Sequence, residues 1–146
     1  MMLKELLVEA DAIQLQVEAK DWRDALDIAA RPLLEHQFID LSYLNAIKAT
    51  TEETGPYYVF EDERFALPHA RPEDGVNRLG FSLVTLKHPI TIQSSPEVDL
   101  IIMLCALDGH SHIEQGLRPI FERLSDEKTR AQLKHATTKE EVLNLL

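Results

Sequence analysis

Cysteine is almost missing from this chain: Cys105 is the only one among 146 residues. A single thiol excludes an internal disulfide framework and a cysteine-built metal cage. Cys105 sits inside the apolar run 100–107, LIIMLCAL, where it reads as a small core hydrophobe. That run is the longest apolar stretch, and it falls far short of the roughly 20 residues a helix needs to cross a bilayer. Positive charge is scarce too, with 15 Lys and Arg against 25 Asp and Glu, a net charge of −10. This balance argues against broad binding of nucleic acid or an anionic membrane surface and leaves room only for a local basic patch. The first residues, MMLKELLVEAD, carry acids early and have no small-residue cleavage site, so they do not read as a secretory signal. There is no Walker loop, GxGxxG, HExxH or nucleophile elbow, so ATP, NAD and ester hydrolysis have no motif support and no cofactor is expected. Repeats, low-complexity tracts and linkers are also lacking. The expectation is one cytoplasmic domain over residues 1–146.

What is present is a readable succession of elements. Residues 2–9 have the pattern of a short amphipathic helix, and IQLQV, residues 13–17, alternates as a half-buried strand does. Asp21 is placed to cap a helix whose apolar face is Trp22, Ala25, Leu26, Ala29, Leu33 and Leu34. Pro32 lies inside that pattern and predicts either a kink or a second helix start. Asp40 or Ser42 caps the next helix, which should end before Gly55-Pro56. Tyr57–Phe60 (YYVF), residues 65–67 (FAL) and residues 78–86 (RLGFSLVTL) read as strands, with Pro89 opening a loop. Residues 99–107 are a near-continuous apolar strand, as expected where both faces of a sheet are covered. The chain then turns helical through Leu124, and further helices cover 126–135 and the segment after Thr138, whose Glu141 stands at capping-box spacing. These signals predict an α/β domain: a mixed sheet flanked by helices on both faces.

Six histidines carry the chemical interest. His36 and His135 fall near predicted helix C-termini, where a cationic ring suits the helix dipole. His88 precedes Pro89 in a loop. His69 differs. It lies in FALPHARPEDG, just past a short strand, with Pro68 before it and Arg71-Pro72 after. The prolines stiffen the backbone around the ring, and Arg71 is suited to an anion such as phosphate. A hydrogen-bonded loop histidine and a reactive imidazole both fit. His112, in DGHSH at a predicted helix start, is the second candidate, since helix N-termini favour anions. If the two strands leading to these loops are neighbours with aligned ends, His69 and His112 meet. A neutral imidazole can take a phosphoryl group, which asks the protein mainly for positioning and charge stabilisation. Asp108, His110, His112 and His69 also have zinc-ligand chemistry, but no closed ligand set is present, so a metal-dependent hydrolase is the weaker reading and no metal is assigned.

The segment ALPHARPEDGV, residues 66–76, resembles the phosphorylation site of the enzyme IIA domains of the bacterial sugar phosphotransferase system, mannitol/fructose-type group. The longer stretch GPYYVFEDERFALPHARPEDGVNRLGFSLVTL is most similar to the ascorbate-type branch. DGHSHIEQGL, residues 108–117, is similar to the family's D-x-x-x-H-[LI] segment, and the resemblance extends over nearly the whole chain. It implies that His69 accepts a phosphoryl group from the phosphocarrier protein HPr and passes it to a cysteine of the cognate enzyme IIB. It implies that the membrane enzyme IIC moves the sugar, and that His112 supports the phosphoryl oxygens or the tautomer. Many mannitol- and fructose-type members carry an Arg-Glu pair on the helix before the strand. Here that place is IKATTEET, residues 47–54, with no arginine, and Lys48 and Thr51 are the substitutes at hand. Pro119, inside the helix after His112, is a further departure; it shortens that helix or starts a new segment. A regulatory module of the same fold, whose phosphorylation state controls a partner, is the alternative function. The HPr-facing surface is expected to be locally apolar, with Phe65, Leu67 and the Pro72-Glu73-Asp74 turn at its rim; Phe65 as plain core is the competing reading.

Overall fold

The computed structural model describes residues 3–146, apart from the side chains of 111–113. Its centre is a five-stranded sheet in the order β1-β4-β5-β3-β2. The strands are β1 (Ile13–Val17), β2 (Val59–Phe60), β3 (Phe65–Ala66), β4 (Gly80–Thr91) and β5 (Glu97–Cys105). β4 and β5 form the antiparallel centre, β1 pairs parallel to β4, β3 pairs parallel to β5, and β2 closes the edge antiparallel to β3. The mixed sheet expected from the sequence is present.

β5 explains why its sequence reads as unbroken apolar. Ile101, Met103 and Cys105 pack into one core cluster, and Leu100, Ile102 and Leu104 into the other. Successive side chains point to opposite faces, and both faces are covered. Helices α2 (Trp22–Glu35) and α3 (Leu41–Thr54) supply Leu26, Leu33 and Ile47 to the first cluster. Helices α1 (Leu3–Glu9), α4 (Arg118–Leu124), α5 (Glu127–His135) and α6 (Lys139–Leu145) supply Leu7, Leu124, Leu133 and Val142 to the second. Among the described residues no helix is long and apolar enough to cross a membrane.

The prolines show how local rules are satisfied. α2 runs straight through Pro32 as one helix. Proline has no N–H to give the carbonyl four residues back, and that carbonyl, on Ile28, accepts instead from Nε2 of Gln14 at 2.7 Å. A neighbouring strand therefore replaces the missing helical bond. Pro89 does not open a loop: β4 continues to Thr91. The β1 pairing ends at Leu86, and the β4–β5 register shifts between Thr85 and Ile90. Pro89 therefore sits at an irregularity on an unpaired edge, where its missing donor costs no ladder bond. Pro119 lies in the first turn of α4, after a π-helix over Ser111–Leu117. The π-helix runs directly into α4, Leu117 being itself helical, so Pro119 marks the change of helix type and not a separate helix start.

Capping follows the sequence signals in part. Asp21 accepts from the Asp24 amide, Asp126 from Lys128 and Thr138 from Glu141. Asp40 stands at the α3 N-cap without a side-chain cap bond, while the Ser42 hydroxyl donates to the Asp74 carbonyl at 2.8 Å. Ser42 thus ties α3 to the turn that follows His69.

Candidate functional site

Two parallel strands deliver the site. β3 pairs with β5 through Phe65↔Leu100 and Ala66↔Ile101, so the chain leaves both strands at the same end of the sheet. The pairing continues past β3, where the Leu104 amide donates to the Pro68 carbonyl at 3.0 Å. Pro68-His69 therefore emerges beside the end of β5, from which the chain runs on to Asp108. The neighbouring, aligned strands anticipated from the sequence are observed.

His69 is half-buried. Its Nδ1 lies 2.7 Å from the Leu67 carbonyl oxygen. A carbonyl only accepts, so Nδ1 carries a proton, and in the neutral ring the lone pair belongs to Nε2. Two tyrosines hold the adjoining backbone. The Tyr57 hydroxyl donates to the His69 carbonyl, and the Tyr57 ring meets the imidazole edge-on, with centroids 5.6 Å apart. The Tyr43 hydroxyl accepts from the Ala70 amide at 3.0 Å and donates to the Leu104 carbonyl at 2.5 Å. Beside His69 opens a cleft of about 660 Å³ between α3 and the 68–74 segment. Ala46, Ala49, Thr50 and Glu53 form its helix wall, with Arg71 and Gly109 among the residues lining the rest.

A family model described as "Phosphoenolpyruvate-dependent sugar phosphotransferase system, EIIA 2" matches residues 6–146. The chain belongs to that family. The EIIA is 37% identical to the ascorbate-specific PTS system EIIA component of Escherichia coli (strain K12) over 148 residues, covering 100% of this chain and 96% of the relative. Among solved structures it is similar to a putative PTS IIA (PtxA) from Streptococcus mutans, with TM-score 0.94 and 36% identity over 99% of this chain and 92% of that one. It is also similar to the mannitol-specific cryptic phosphotransferase enzyme IIA CmtB of Escherichia coli, with TM-score 0.88 and 32% identity over 99% and 97% of the two chains. A third likeness is to a complex of enzyme IIA and phosphorylated enzyme IIB for mannitol from Escherichia coli, with TM-score 0.77 and 25% identity over 93% and 94%. EIIA components act as phosphotransferase carriers.

Several residues singled out in the EIIA sequence sit elsewhere than expected. Lys48 points to α2, where Nζ is 2.6 Å from Asp27. Thr51 is fully buried; its hydroxyl bonds to the Ile47 carbonyl at 2.7 Å and to the Tyr58 hydroxyl at 2.9 Å. Neither lines the cleft; the polar helix positions that do are Thr50 and Glu53. Arg71 does line it. Its side chain is 75% exposed and its guanidinium rests 3.4 Å from Asp74, within the 3₁₀ turn Pro72–Asp74. The role expected of the His112 side chain lies outside the described residues. Among the described residues, no three His, Cys, Asp or Glu side chains are grouped to share a metal ion. Phe65 and Leu67 are core, not rim. Tyr43 and Tyr57 were read only as parts of elements. The signal that could have found Tyr57 is Gly55-Pro56 directly before two tyrosines: Gly55, at φ 88°, turns the chain out of α3, so that Tyr58 enters the core and Tyr57 meets His69.

Gly75 closes the turn after Arg71, at φ +135°, a region L side chains rarely adopt. A Cβ there would stand 2.6 Å from the Ser42 hydroxyl oxygen and 3.1 Å from the Tyr43 amide nitrogen. Gly75→Ala is therefore expected to cost about 2 kcal/mol, combining backbone strain with overpacking. Urea denaturation of the variant measures it.

Burial pushes the Tyr57 hydroxyl from 10.0 up to about 12, and the Cys105 thiol from 9.0 up to about 12. The folded state holds both protons more tightly than the unfolded chain does. Their contribution to stability is complete below the unfolded values and fades as pH rises toward the folded ones. The thermal midpoint should therefore fall progressively from about pH 9 to about pH 12. A midpoint that stays flat across this window would contradict the assignment.

Proposed function

We propose that this EIIA carries a phosphoryl group on Nε2 of His69, taken from phospho-HPr and passed to a cysteine of an enzyme IIB in an ascorbate-type transport system. The observation that carries this reading is the 2.7 Å contact between His69 Nδ1 and the Leu67 carbonyl, because it leaves the nucleophilic lone pair to Nε2. In uptake, that pair forms a new N–P bond while the N–P bond to the carrier histidine breaks and its electrons return to the carrier ring. The Nδ1 proton, held on the Leu67 carbonyl, balances part of the charge brought by the phosphoryl group. In delivery, an incoming thiolate forms the S–P bond and the Nε2–P electrons return to His69. Arg71, exposed on the cleft wall, exchanges Asp74 for the phosphoryl oxygens as they arrive. His112 lies in the segment that leaves β5 beside the site and serves the phosphoryl group from there.

The relatives' names support the transport assignment. An ascorbate-specific EIIA shares 37% identity over the full chain, and a mannitol IIA of the same fold forms a complex with phosphorylated IIB. The chain then works in the cytoplasm, and the sugar passes only through a membrane enzyme IIC.

Reconstitution with phosphoenolpyruvate, enzyme I and HPr tests the proposal. The expected result is stoichiometric, acid-labile and alkali-stable phosphate on the chain, discharged when enzyme IIB from an ascorbate system is added. Absence of label would overturn the carrier reading. Label that remains after IIB is added would overturn transport and favour a regulatory module.

A further inference from the structure

We infer that Tyr57 and Tyr43 are positioning residues for phosphoryl transfer, their hydroxyls holding the two ends of the His69–Ala70 peptide and so fixing the direction of the His69 ring. This rests on the reading of His69 as the phosphoryl carrier.

A side chain's direction is set first by the two peptide planes that meet at its Cα. At His69 both planes are tied to other elements. The preceding plane is held where the Pro68 carbonyl accepts from the Leu104 amide at 3.0 Å. In the following plane, the His69 carbonyl accepts from the Tyr57 hydroxyl and the Ala70 amide donates to the Tyr43 hydroxyl at 3.0 Å. Both polar groups of one peptide unit therefore end on tyrosine oxygens, and rotation of that plane breaks two bonds at once. With φ and ψ fixed, Nδ1 is presented to the Leu67 carbonyl, and Nε2 lies at the opposite corner of the imidazole.

The tyrosines are themselves anchored. Tyr43 is buried, and its hydroxyl donates to Leu104 at the end of β5. Tyr57 packs edge-on against Tyr58, centroids 4.8 Å apart, and Tyr58 is bonded to Thr51 of α3. The ring of the carrier is thus referenced to α3 from one side and to the sheet from the other. A group that must line up in turn with two partner proteins loses rate steeply when misaligned, about 10²-fold for a displacement of about 1 Å. Both hydroxyls end on backbone atoms, so the contribution is alignment.

Tyr57→Phe is the clean test, because the ring is kept and the side chain is 43% exposed, so folding survives. The maximal rate of phosphoryl uptake from phospho-HPr is expected to fall about tenfold, with the KM for HPr within about twofold. In nitrogen-15 spectra of the unphosphorylated protein, wild type should show the His69 tautomer protonated at Nδ1, and Tyr57→Phe a mixture of both tautomers. Tyr43→Phe should do the same at the cost of some stability. Wild-type maximal rate together with an unmixed tautomer in Tyr57→Phe overturns the inference. A wild-type chain that takes no phosphate overturns the carrier reading it rests on, while the spectra still report separately whether the hydroxyls orient the ring.

Discussion

His69→Ala should abolish phosphate uptake from phospho-HPr, a loss of about 10³-fold or more, because on the proposed reading His69 supplies the nucleophilic nitrogen. Folding should survive the change. The variant gives up the hydrogen bond from Nδ1 to the Leu67 carbonyl, a loss of about 1 kcal/mol, and the tyrosine bonds to the backbone do not need the imidazole. Circular dichroism and the thermal midpoint therefore stay near wild type while the label disappears. Two other described histidines serve as controls. His36 points its Nδ1 at the Pro32 carbonyl at 3.0 Å, at the end of α2. His88 is exposed, with its ring 3.8 Å from Glu18. Replacing either with glutamine should leave labelling within about twofold of wild type. Label persisting in His69→Ala would move the phosphoryl group to another residue and end the assignment made here.

Phe65→Ala is expected to cost about 3–5 kcal/mol, the range for removing a buried phenylalanine. Whole domains are held by only about 5–15 kcal/mol, so this one change removes a large share of the total. Phe65 is 2% exposed and stacks on Phe60 at 4.7 Å between centroids, and Phe60 meets Phe121 of α4 at 5.2 Å. The strand it belongs to has two residues. Nothing else in so short a strand can take over its burial, and His69 follows four positions later. Urea denaturation should show a midpoint far below wild type with a similar slope. A variant of wild-type stability but raised KM for HPr would instead make Phe65 part of a docking rim.

The regular parts of this EIIA were legible because their signals are local. IQLQV forms β1, but its alternation holds only as far as Leu15, because a register shift between Gln14 and Val17, with Gln16 at φ 54°, turns Val17 to the other core cluster. The unbroken run LIIMLC matches the doubly covered β5. Asp21, Asp126 and Thr138 cap helices as their types predict. What escaped depended on partners distant in sequence. Pro32 reads as a helix breaker until Gln14, on another element, satisfies the orphaned carbonyl. Pro89 reads as a loop residue until the pairing of β1 is seen to stop at Leu86. At the site, the PHARP segment marked His69, and it is placed in a cleft. The neighbours of that histidine could not be ranked by residue type alone. Lys48 and Thr51 carry the right chemistry for phosphate, but helical phase turns them toward Asp27 and Tyr58. Tyr43 and Tyr57 act through hydroxyl bonds to backbone, which leave no pattern in a sequence.

Cys105 adds a practical consequence. Its thiol is fully buried, and burial raises its pKa to about 12. Near neutrality almost none of it is thiolate, the form that reacts with alkylating agents and peroxide. The Cys105 thiol should therefore be inert to both while the protein is folded. On the proposed reading, a loss of phosphoryl flow in a reconstituted relay after iodoacetamide or mild oxidation does not arise at Cys105 and points to a thiol on another component. If IIB takes the group on a cysteine, as proposed, that cysteine can be titrated with this chain left in the tube.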